Sequence, residues 1–147
     1  MSFDSFLKTF GKKKPLNTLE IITTCNKAKI ENFKGVFMRD ELNNNMKASN
    51  NECLVLNIAH SQWKDGTHWV CLFIKNKICY YFDSYGFPPP LEVEKYLHEF
   101  DKRYYNSFEI QKENQVICGH FCVYVLLKLN IGSDFEEILD ELFKYNN

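Results

Sequence analysis

The chain lacks the features of a membrane protein and of a general nucleic-acid binder. None of its 147 residues belongs to an apolar run of about 18 or more, so the sequence predicts no membrane span. Lysine and arginine number 18 against 19 acidic residues, and this balance gives no global attraction to DNA or to an anionic membrane. The first ten residues mix charges with apolar residues, unlike a secretory signal peptide. We therefore expect no secretion, no membrane contact and at most local contact with DNA.

The composition indicates one globular domain. Hydrophobic residues make up 45% and charged residues 25% of the chain, which is usual for a compact domain with its own core. Aromatic residues reach 16% and are spread along the chain, which favours an aromatic-rich core over a surface for stacking bases. We predict a single domain over residues 1–147. Its first 14 residues would form an amphipathic helix and a basic loop containing Lys12–Lys14.

The sequence also lacks the spacing of a zinc site and the context of a disulfide framework. Cys118 and Cys122 are the only close pair among the six cysteines, and no second close pair accompanies them. His120 would leave a helix on a different side from these two cysteines. The chain is large enough to fold without disulfides and carries no secretory address. We predict no metal, no cofactor, and thiols that stay reduced inside a cell.

Apolar spacing and capping signals predict five helices. They occupy approximately residues 3–10, 17–30, 90–100, 118–130 and 133–145. Asn17 and Glu20 form a capping box at the start of the second helix, and Ser133 and Glu136 form one at the start of the last. The run that follows Cys118 is apolar throughout and predicts a buried helix.

Short apolar runs between the helices predict a small sheet. The strand candidates are residues 52–59, 68–75 and 77–83, with "SFEIQ" at 107–111 as an edge strand. The tight "KNK" turn joins the second and third runs into a hairpin over residues 68–83. The glycine- and asparagine-containing segment 31–51 is interpreted as loop or short irregular pieces. Strands followed by helices that cover them predict an α+β domain.

Cys118 lies where a helix is predicted to begin, and this position favours a reactive thiolate. Unpaired backbone amides and the helix dipole lower the pKa of a thiol at a helix N-terminus. The same amides can stabilise the oxyanion of a tetrahedral intermediate. Gly119 has no side chain, so a substrate carbonyl can approach the backbone there. The competing interpretation is a buried structural thiol, because cysteine is among the most buried residue types.

A histidine and an aspartate are predicted to meet at one end of the hairpin. His68 begins its first strand and Asp83 ends its second, so antiparallel pairing brings them within hydrogen-bonding reach. A histidine at a strand end more often has no catalytic role. A cysteine nucleophile, however, needs a base, and that base needs an orienting acid. Together with Cys118, the two residues predict a catalytic triad.

Three motifs in a fixed order carry a family resemblance. "GTHWVCLFIKNKICYYFDSYGF" and the later "QKENQVICGHFC" contain Gly-x-His-Trp, then Cys-Tyr-x-Phe-acid-x-x-Gly-Phe, then a glutamine followed by Cys-Gly-x-x-x-Cys. Over about residues 52–127 this order resembles the adenovirus-type maturation cysteine proteases (adenain-like), which also occur in polinton-like elements and virophages. The wider superfamily includes proteases of ubiquitin-like proteins. The resemblance implies a papain-like cysteine protease fold with the nucleophile at a helix N-terminus.

By this resemblance His68 is the general base, Cys118 the nucleophile and Asp83 the acid that orients the imidazole. The adenovirus enzyme has glutamate at the acid position, whereas the wider superfamily uses aspartate. It also binds its activating peptide through a cysteine between the acid and the nucleophile, and this chain has no cysteine between Cys79 and Cys118. Activation by a disulfide-linked peptide is therefore not expected. Stimulation by DNA has only the short lysine cluster to support it.

The resemblance also assigns residues around the triad. Gln111, seven residues before Cys118, matches the glutamine that helps to form the oxyanion hole. Gln115 is the alternative, because proteases of ubiquitin-like proteins have a shorter spacing. Trp69 matches a tryptophan that walls the site, and with Gly119 it is a predicted substrate-binding residue. Ordinary core packing is the other interpretation of Trp69.

The function implied is maturation of viral proteins. The expected substrates are capsid or core precursors, cut after small-residue or Gly-Gly motifs by a monomeric enzyme in the virion and in the cytoplasm or viral factory of the infected cell. Two alternatives stay open. One is processing of ubiquitin-like modifiers, as by a deubiquitinase or deSUMOylase, and the other is a catalytically silent binder of Gly-Gly tails.

Overall fold

The computed structural model describes residues 1–10, 14–43, 45–59, 68–112 and 115–147. Lys12 and Lys13 of the predicted basic loop lie outside these ranges. The α-helices are α1 (Phe3–Phe10), α2 (Thr18–Lys27), α3 (Leu91–Tyr96), α4 (Cys118–Asn130) and α5 (Phe135–Tyr145). The strands are β1 (Phe33–Met38), β2 (Asn51–Asn57), β3 (Trp69–Lys75), β4 (Ile78–Asp83) and β5 (Lys102–Tyr105), and a 3-10 turn covers Arg39–Glu41. Across the described ranges, every helix is too short or too polar to cross a membrane.

The strands form one mixed sheet in the order β1-β2-β3-β4-β5. The three central strands are antiparallel, and both outer strands run parallel to their neighbours. The predicted hairpin is confirmed as β3 and β4. Its turn residues Asn76 and Lys77 have φ of 52° and 66°, as a two-residue turn of primed type requires. The sheet covered by helices confirms the predicted α+β class.

Strand β1 shows that the prediction of loop or short irregular pieces over residues 31–51 was wrong for Phe33–Met38. Phe33–Met38 pairs in parallel with β2, and the register shifts between Phe33 and Gly35. Gly35 has φ 138°, a conformation that favours glycine and accompanies this irregularity. The glycine and the following asparagines suppressed the local strand signal, whereas pairing with a distant segment formed the strand.

The edge strand was also predicted at the wrong place. Lys102–Tyr105 forms β5 beside β4, whereas residues 107–111 have no strand conformation. The amides of Ile110 and Gln111 both donate to the carbonyl oxygen of Ser84, at 2.8 Å each. These backbone bonds fold the segment back onto the loop that follows β4 and take it out of the sheet.

Helices cover both faces of the sheet. On one face, alternate β3 residues Trp69, Cys71 and Phe73 belong to the same core cluster as helices α1, α2, α4 and α5. On the other face, the remaining β3 positions pack with α3 and the segment after β1. Helix α4 is buried around most of its circumference, as its uniformly apolar sequence predicts. This central helix carries Cys118 at its first position.

Two helix starts test the capping predictions. The Asn17–Glu20 capping box is present at α2, where each side chain bonds the other residue's backbone amide at 2.8 and 3.1 Å. The box predicted at Ser133 is wrong. Asp134 is the N-cap of α5 and accepts from the amide of Glu137, because its carboxylate satisfies the same group one position later in the chain.

Helix α1 docks on the body of the protein. The ring of Phe3 stacks on Phe121 of α4 with centroids 4.8 Å apart, and Phe6 and Leu7 are buried beside it. The amide of Phe3 donates to the Glu141 carboxylate of α5 at 3.0 Å, which satisfies one free amide at the start of α1. The N-terminal helix therefore packs against α4, the helix that begins with Cys118.

Candidate active site

His68 and Asp83 meet at one end of the central hairpin. His68 immediately precedes β3, and its carbonyl oxygen accepts from the amide of Ile58 at 2.9 Å. Asp83 is the last residue of β4 and pairs with Val70. The imidazole Nε2 lies 2.7 Å from Asp83 Oδ1, which is the contact that the hairpin predicts. The carboxylate is almost fully buried, so water competes little for this bond.

Cys118 is the first residue of α4 and only 7% exposed. The N-cap residue, Ile117, supplies no side-chain hydrogen bond to the helix start. The first amides of α4 therefore have no capping side chain and are available to a negative charge. This is the local environment that the sequence predicts for a reactive thiolate.

The protonation of His68 reflects both of its neighbours. Burial alone lowers the pKa of His68, but the hydrogen bonds with Asp83 and with Cys118, and the charges of both groups, more than offset it. The resulting pKa is about 9. Because Asp83 and Cys118 both favour its charged form, His68 is protonated at neutral pH.

Asn106 holds the backbone of the acid in place. Its side-chain oxygen accepts from the amide of Asp83 at 3.1 Å, and its nitrogen donates to the Asp83 carbonyl oxygen at 2.6 Å. The same nitrogen reaches the carbonyl oxygen of Phe108 at 3.2 Å. Asn106 follows β5 directly and was not a predicted site residue. No local sequence signal identifies it, because its partner is 23 positions earlier in the chain.

Gln111 is buried close to the acid. Its side-chain oxygen accepts from the Ser84 hydroxyl at 2.6 Å. Its nitrogen donates to the carbonyl oxygen of Gln115 at 2.6 Å and lies 3.5 Å from the Tyr85 hydroxyl. Ser84 and Tyr85 occupy the variable positions of the motif between Asp83 and Gly86, so the motif does not identify either of them. An amide nitrogen has two protons, so one stays weakly engaged here.

Gln115 is held in a different arrangement. Its side-chain oxygen accepts from the amide of Lys112 at 3.0 Å and from Asn146 at 2.9 Å, and its nitrogen donates to Asn146 at 3.0 Å. Asn146 also donates to the carbonyl oxygen of Ile110 at 2.6 Å. These bonds tie the segment before Cys118 to the C-terminal end of the chain. Both the oxygen and the nitrogen of the Gln115 side chain therefore have hydrogen-bond partners that stabilise this part of the fold.

Trp69 and Gly119 contact each other inside the protein. A Cβ atom on Gly119 would lie 3.2 Å from the Trp69 ring and 3.3 Å from Leu16. The indole nitrogen donates to the Leu16 carbonyl oxygen at 3.0 Å, and the ring is 4% exposed. Trp69 is therefore packed in the core, and its predicted place beside the substrate stays a prediction. Gly119 lets the start of α4 approach this ring closely, a role that differs from the predicted approach of substrate.

The remaining thiols show no comparable environment. All six cysteines are free. Cys122, one turn after Cys118, is fully buried, and this burial together with a hydrogen bond to Cys71 raises the pKa of its thiol well above the ordinary value. Within the described ranges, no group of three or more His, Cys, Asp or Glu side chains is arranged to hold a metal ion.

Gly86 permits a close approach behind the acid. Its φ is +77°, and a Cβ would lie 2.6 Å from the backbone of Phe108.

We expect Gly86→Ala to lower the free energy of unfolding by about 2–4 kcal/mol, because it adds backbone strain and a clash that only main-chain movement relieves. Urea denaturation measures this loss. Gly132→Ala is the matched control, because Gly132 has φ +93° but a Cβ added there meets no other described residue within 4 Å beyond its chain neighbours, and strain alone costs about 1 kcal/mol. Equal losses in the two variants would contradict the steric argument.

Solved structures of two proteases share this fold. The chain aligns with the ASFV protease at 16% identity and a TM-score of 0.58, over 90% of this chain and 66% of that one. It aligns with the SUMO protease Ulp1, whose catalytic cysteine is oxidised to a sulfinic acid, at 14% identity and a TM-score of 0.54, over 97% and 78% of the two chains. The C-terminal Ulp1 domain in complex with SMT3, the yeast ortholog of SUMO, aligns at 16% identity and a TM-score of 0.52, over 96% and 78%.

At 14% to 16% sequence identity, these matches show a shared fold and nothing finer. The chain spans 44% and 66% of the lengths of two ASFV protease chains. No protein-family model and no curated protein sequence matches it. The chain therefore has the α+β fold of these proteases, one of which uses a catalytic cysteine.

Proposed function

We propose that this protein is a cysteine endopeptidase with Cys118 as nucleophile, His68 as general base and Asp83 as orienting acid. The observation that carries the proposal is the position of His68, hydrogen-bonded to the buried carboxylate of Asp83 and to the thiol at the start of α4. A nucleophile, a base and an orienting group in mutual contact are the requirement for covalent acyl transfer. The fold shared with proteases supports the same reaction class.

The geometry supports a conventional course for the reaction. His68 holds the proton of the Cys118 thiol in the resting site, and the Cys118 thiolate attacks the substrate carbonyl carbon. The first amides of α4 and the weakly engaged proton of the Gln111 amide stabilise the oxyanion. The intermediate then collapses, and protonated His68 donates its proton to the leaving amine. Water, activated by His68, releases the acyl group and restores the thiol.

We further propose that the substrates are viral structural precursors cut after small-residue or Gly-Gly motifs. The order of the three sequence motifs favours the adenain-like type, and the ASFV protease has the same fold. Cys118 is recessed at 7% exposure, so a substrate backbone must approach closely, and glycine permits this approach best. The proposed setting is the virion and the infected host cell.

Processing of a ubiquitin-like modifier is the second candidate. It is favoured by the fold shared with the Ulp1 domain that binds SMT3. A panel of Gly-Gly-x peptides and folded ubiquitin-like fusions, tested in reducing buffer with wild type and Cys118→Ala, separates the two. Cleavage of peptides that depends on Cys118 supports the maturation enzyme, whereas cleavage of the fusions alone supports the second candidate. Binding of Gly-Gly tails without cleavage would contradict both and leave the silent binder.

The two glutamines give different expected results. We expect Gln111→Ala to lower kcat by about 10²–10³-fold with little change in KM, because an oxyanion donor acts mainly in the transition state. We expect Gln115→Ala to keep kcat within a few-fold, since its backbone carbonyl oxygen still accepts from Gln111. The main effect of Gln115→Ala should be a lower midpoint temperature of thermal unfolding, because the variant loses the hydrogen bonds with Asn146. Steady-state kinetics and thermal unfolding check the pair. The reverse pattern would assign the oxyanion role to Gln115.

A further inference from the structure

Tyr85 contacts three of the four groups to which the proposed mechanism assigns roles. Its ring stacks on the His68 imidazole with centroids 4.5 Å apart and planes at 28°. Its backbone amide donates to Asp83 Oδ1 at 2.8 Å, the same oxygen that contacts His68. Its hydroxyl oxygen lies 3.5 Å from the side-chain nitrogen of Gln111. One residue is therefore in contact with the acid, the base and the glutamine.

We infer that Tyr85 is a positioning residue for the proposed hydrolysis, with its ring fixing the plane of His68 and its hydroxyl orienting the amide of Gln111. The inference rests on the proposed function and deepens it by adding a fifth residue to the site. Tyr85 is half-buried at the surface, whereas the core aromatic residues are almost fully buried. Its contacts therefore serve the site more than the core.

The ring constrains a motion that the bond to Asp83 leaves free. That bond holds His68 at Nε2 only, and the imidazole can still tilt about this contact. A stacked neighbour opposes such a tilt, so the other ring edge stays directed at Cys118. An electron-rich phenol face also stabilises an adjacent cation, and His68 becomes the imidazolium when the thiol is ionised. Among the residues that the structure describes, Asp83 and Cys118 act on the charge of His68, and the Tyr85 ring lies against its imidazole.

The hydroxyl has a separate task. The Gln111 nitrogen gives one proton to the Gln115 carbonyl oxygen, and the Tyr85 hydroxyl is the weak acceptor for the other. A contact of 3.5 Å orients this proton without holding it strongly. The developing oxyanion can replace the hydroxyl as the acceptor during the reaction. Ring and hydroxyl thus act on different catalytic groups, and a substitution can separate them.

Two reactions of Cys118 distinguish these roles. With iodoacetamide, the thiolate sulfur bonds the methylene carbon and iodide leaves, so the rate reports the thiolate–imidazolium pair and needs no oxyanion hole. Peptide cleavage needs both. We would measure both rates against pH for wild type, His68→Ala, Tyr85→Phe, Tyr85→Leu and Tyr85→Ala, subtracting alkylation in Cys118→Ala. Tyr105→Ala is the matched control, because Tyr105 is an exposed tyrosine on the edge strand β5.

We expect Tyr85→Ala and Tyr85→Leu to alkylate about tenfold more slowly near neutral pH, with the rise of the alkylation rate moved to higher pH, because the imidazolium that accompanies the thiolate is less stabilised. Cleavage should fall further, chiefly in kcat. Tyr85→Phe should keep the wild-type alkylation profile and lose only about three- to tenfold in kcat, because the ring remains and the hydroxyl is lost. Tyr105→Ala should match wild type in both reactions. Leucine fills most of the space of the ring, so it carries the comparison if the alanine variant does not fold.

Three other results would each refute a specific part of this proposal. Wild-type alkylation and kcat in both Tyr85→Leu and Tyr85→Ala, with both rates lost in His68→Ala, would refute the role of Tyr85 and leave the protease standing. An unchanged kcat in Tyr85→Phe would refute the role of the hydroxyl alone. Reactivity of wild-type Cys118 that does not depend on His68 would refute the proposed function and this inference together.

Discussion

Cys118→Ala is expected to abolish peptide cleavage, with a loss of at least about 10⁴-fold in kcat/KM. Among the cysteines in the described ranges, Cys118 at the start of α4 is the one that forms a hydrogen bond with His68. Alanine removes the nucleophile and fits the same space, so the fold should persist. Peptide hydrolysis followed by chromatography measures the loss, and circular dichroism checks the fold.

Cys122→Ala is the matched control for this change. Cys122 lies one turn later on the same helix and is fully buried beside Cys71. Its removal leaves a small cavity, with an expected cost of about 1 kcal/mol in the free energy of unfolding and cleavage near the wild-type rate. Substantial cleavage by Cys118→Ala would show that another group attacks the substrate, and the proposed mechanism would then be wrong.

Asp83→Asn is expected to lower kcat by about 10³-fold while leaving weak activity. The amide oxygen can still accept from the imidazole, but asparagine has no negative charge to stabilise the imidazolium. The backbone clamp by Asn106 uses only the amide and the carbonyl oxygen of residue 83, so it persists in the variant. Single-turnover kinetics with a fluorogenic peptide would measure the loss. Asp101→Asn, which changes an exposed aspartate at the start of the edge strand, should leave kcat unchanged.

The same change predicts a shift in pH dependence. In wild type the pKa of His68 is raised to about 9, so the imidazolium needed by the leaving amine is present below that pH and is lost above it. Without the Asp83 charge, burial still lowers the pKa of His68 and one of the two raising contacts is weakened. The alkaline limb of activity should therefore move to lower pH in Asp83→Asn. An unchanged limb would show that another group controls it.

Stability should follow the same titration. A folded-state pKa of about 9 against an ordinary value of 6.5 means that protonated His68 stabilises the fold fully below pH 6.5, and that this contribution disappears as pH rises through 9. It amounts to at most about 3 kcal/mol. Urea denaturation of wild type and Asp83→Asn at both ends of this range should show a larger decline in wild type. The difference between the two proteins removes the effects of other titrating groups.

Local sequence determined a large part of this fold and of its candidate site. The 3.6-residue periodicity and the Asn17 cap place helices correctly, because these signals depend on neighbours within one turn. The tight turn at Asn76 and Lys77 fixes the register of the hairpin, so the meeting of His68 and Asp83 follows from the sequence. The apolar, proline-free run that begins at position 118 likewise predicts a helix whose first residue is Cys118.

Tertiary structure alone decided the features that depend on distant partners. Strands β1 and β5 form because they pair in parallel with strands far along the chain, and their own residues give weak strand signals. The sequence left Gln111 and Gln115 as equal chemical types, and their partners, Ser84 and Asn146, lie 27 and 31 positions away. The contacts of Tyr85 with Asp83, His68 and Gln111 likewise arise only when the loop after β4 folds back onto the sheet end. Spacing along the chain identifies residues of the right chemistry, and only the packing of distant segments determines which of them face one another.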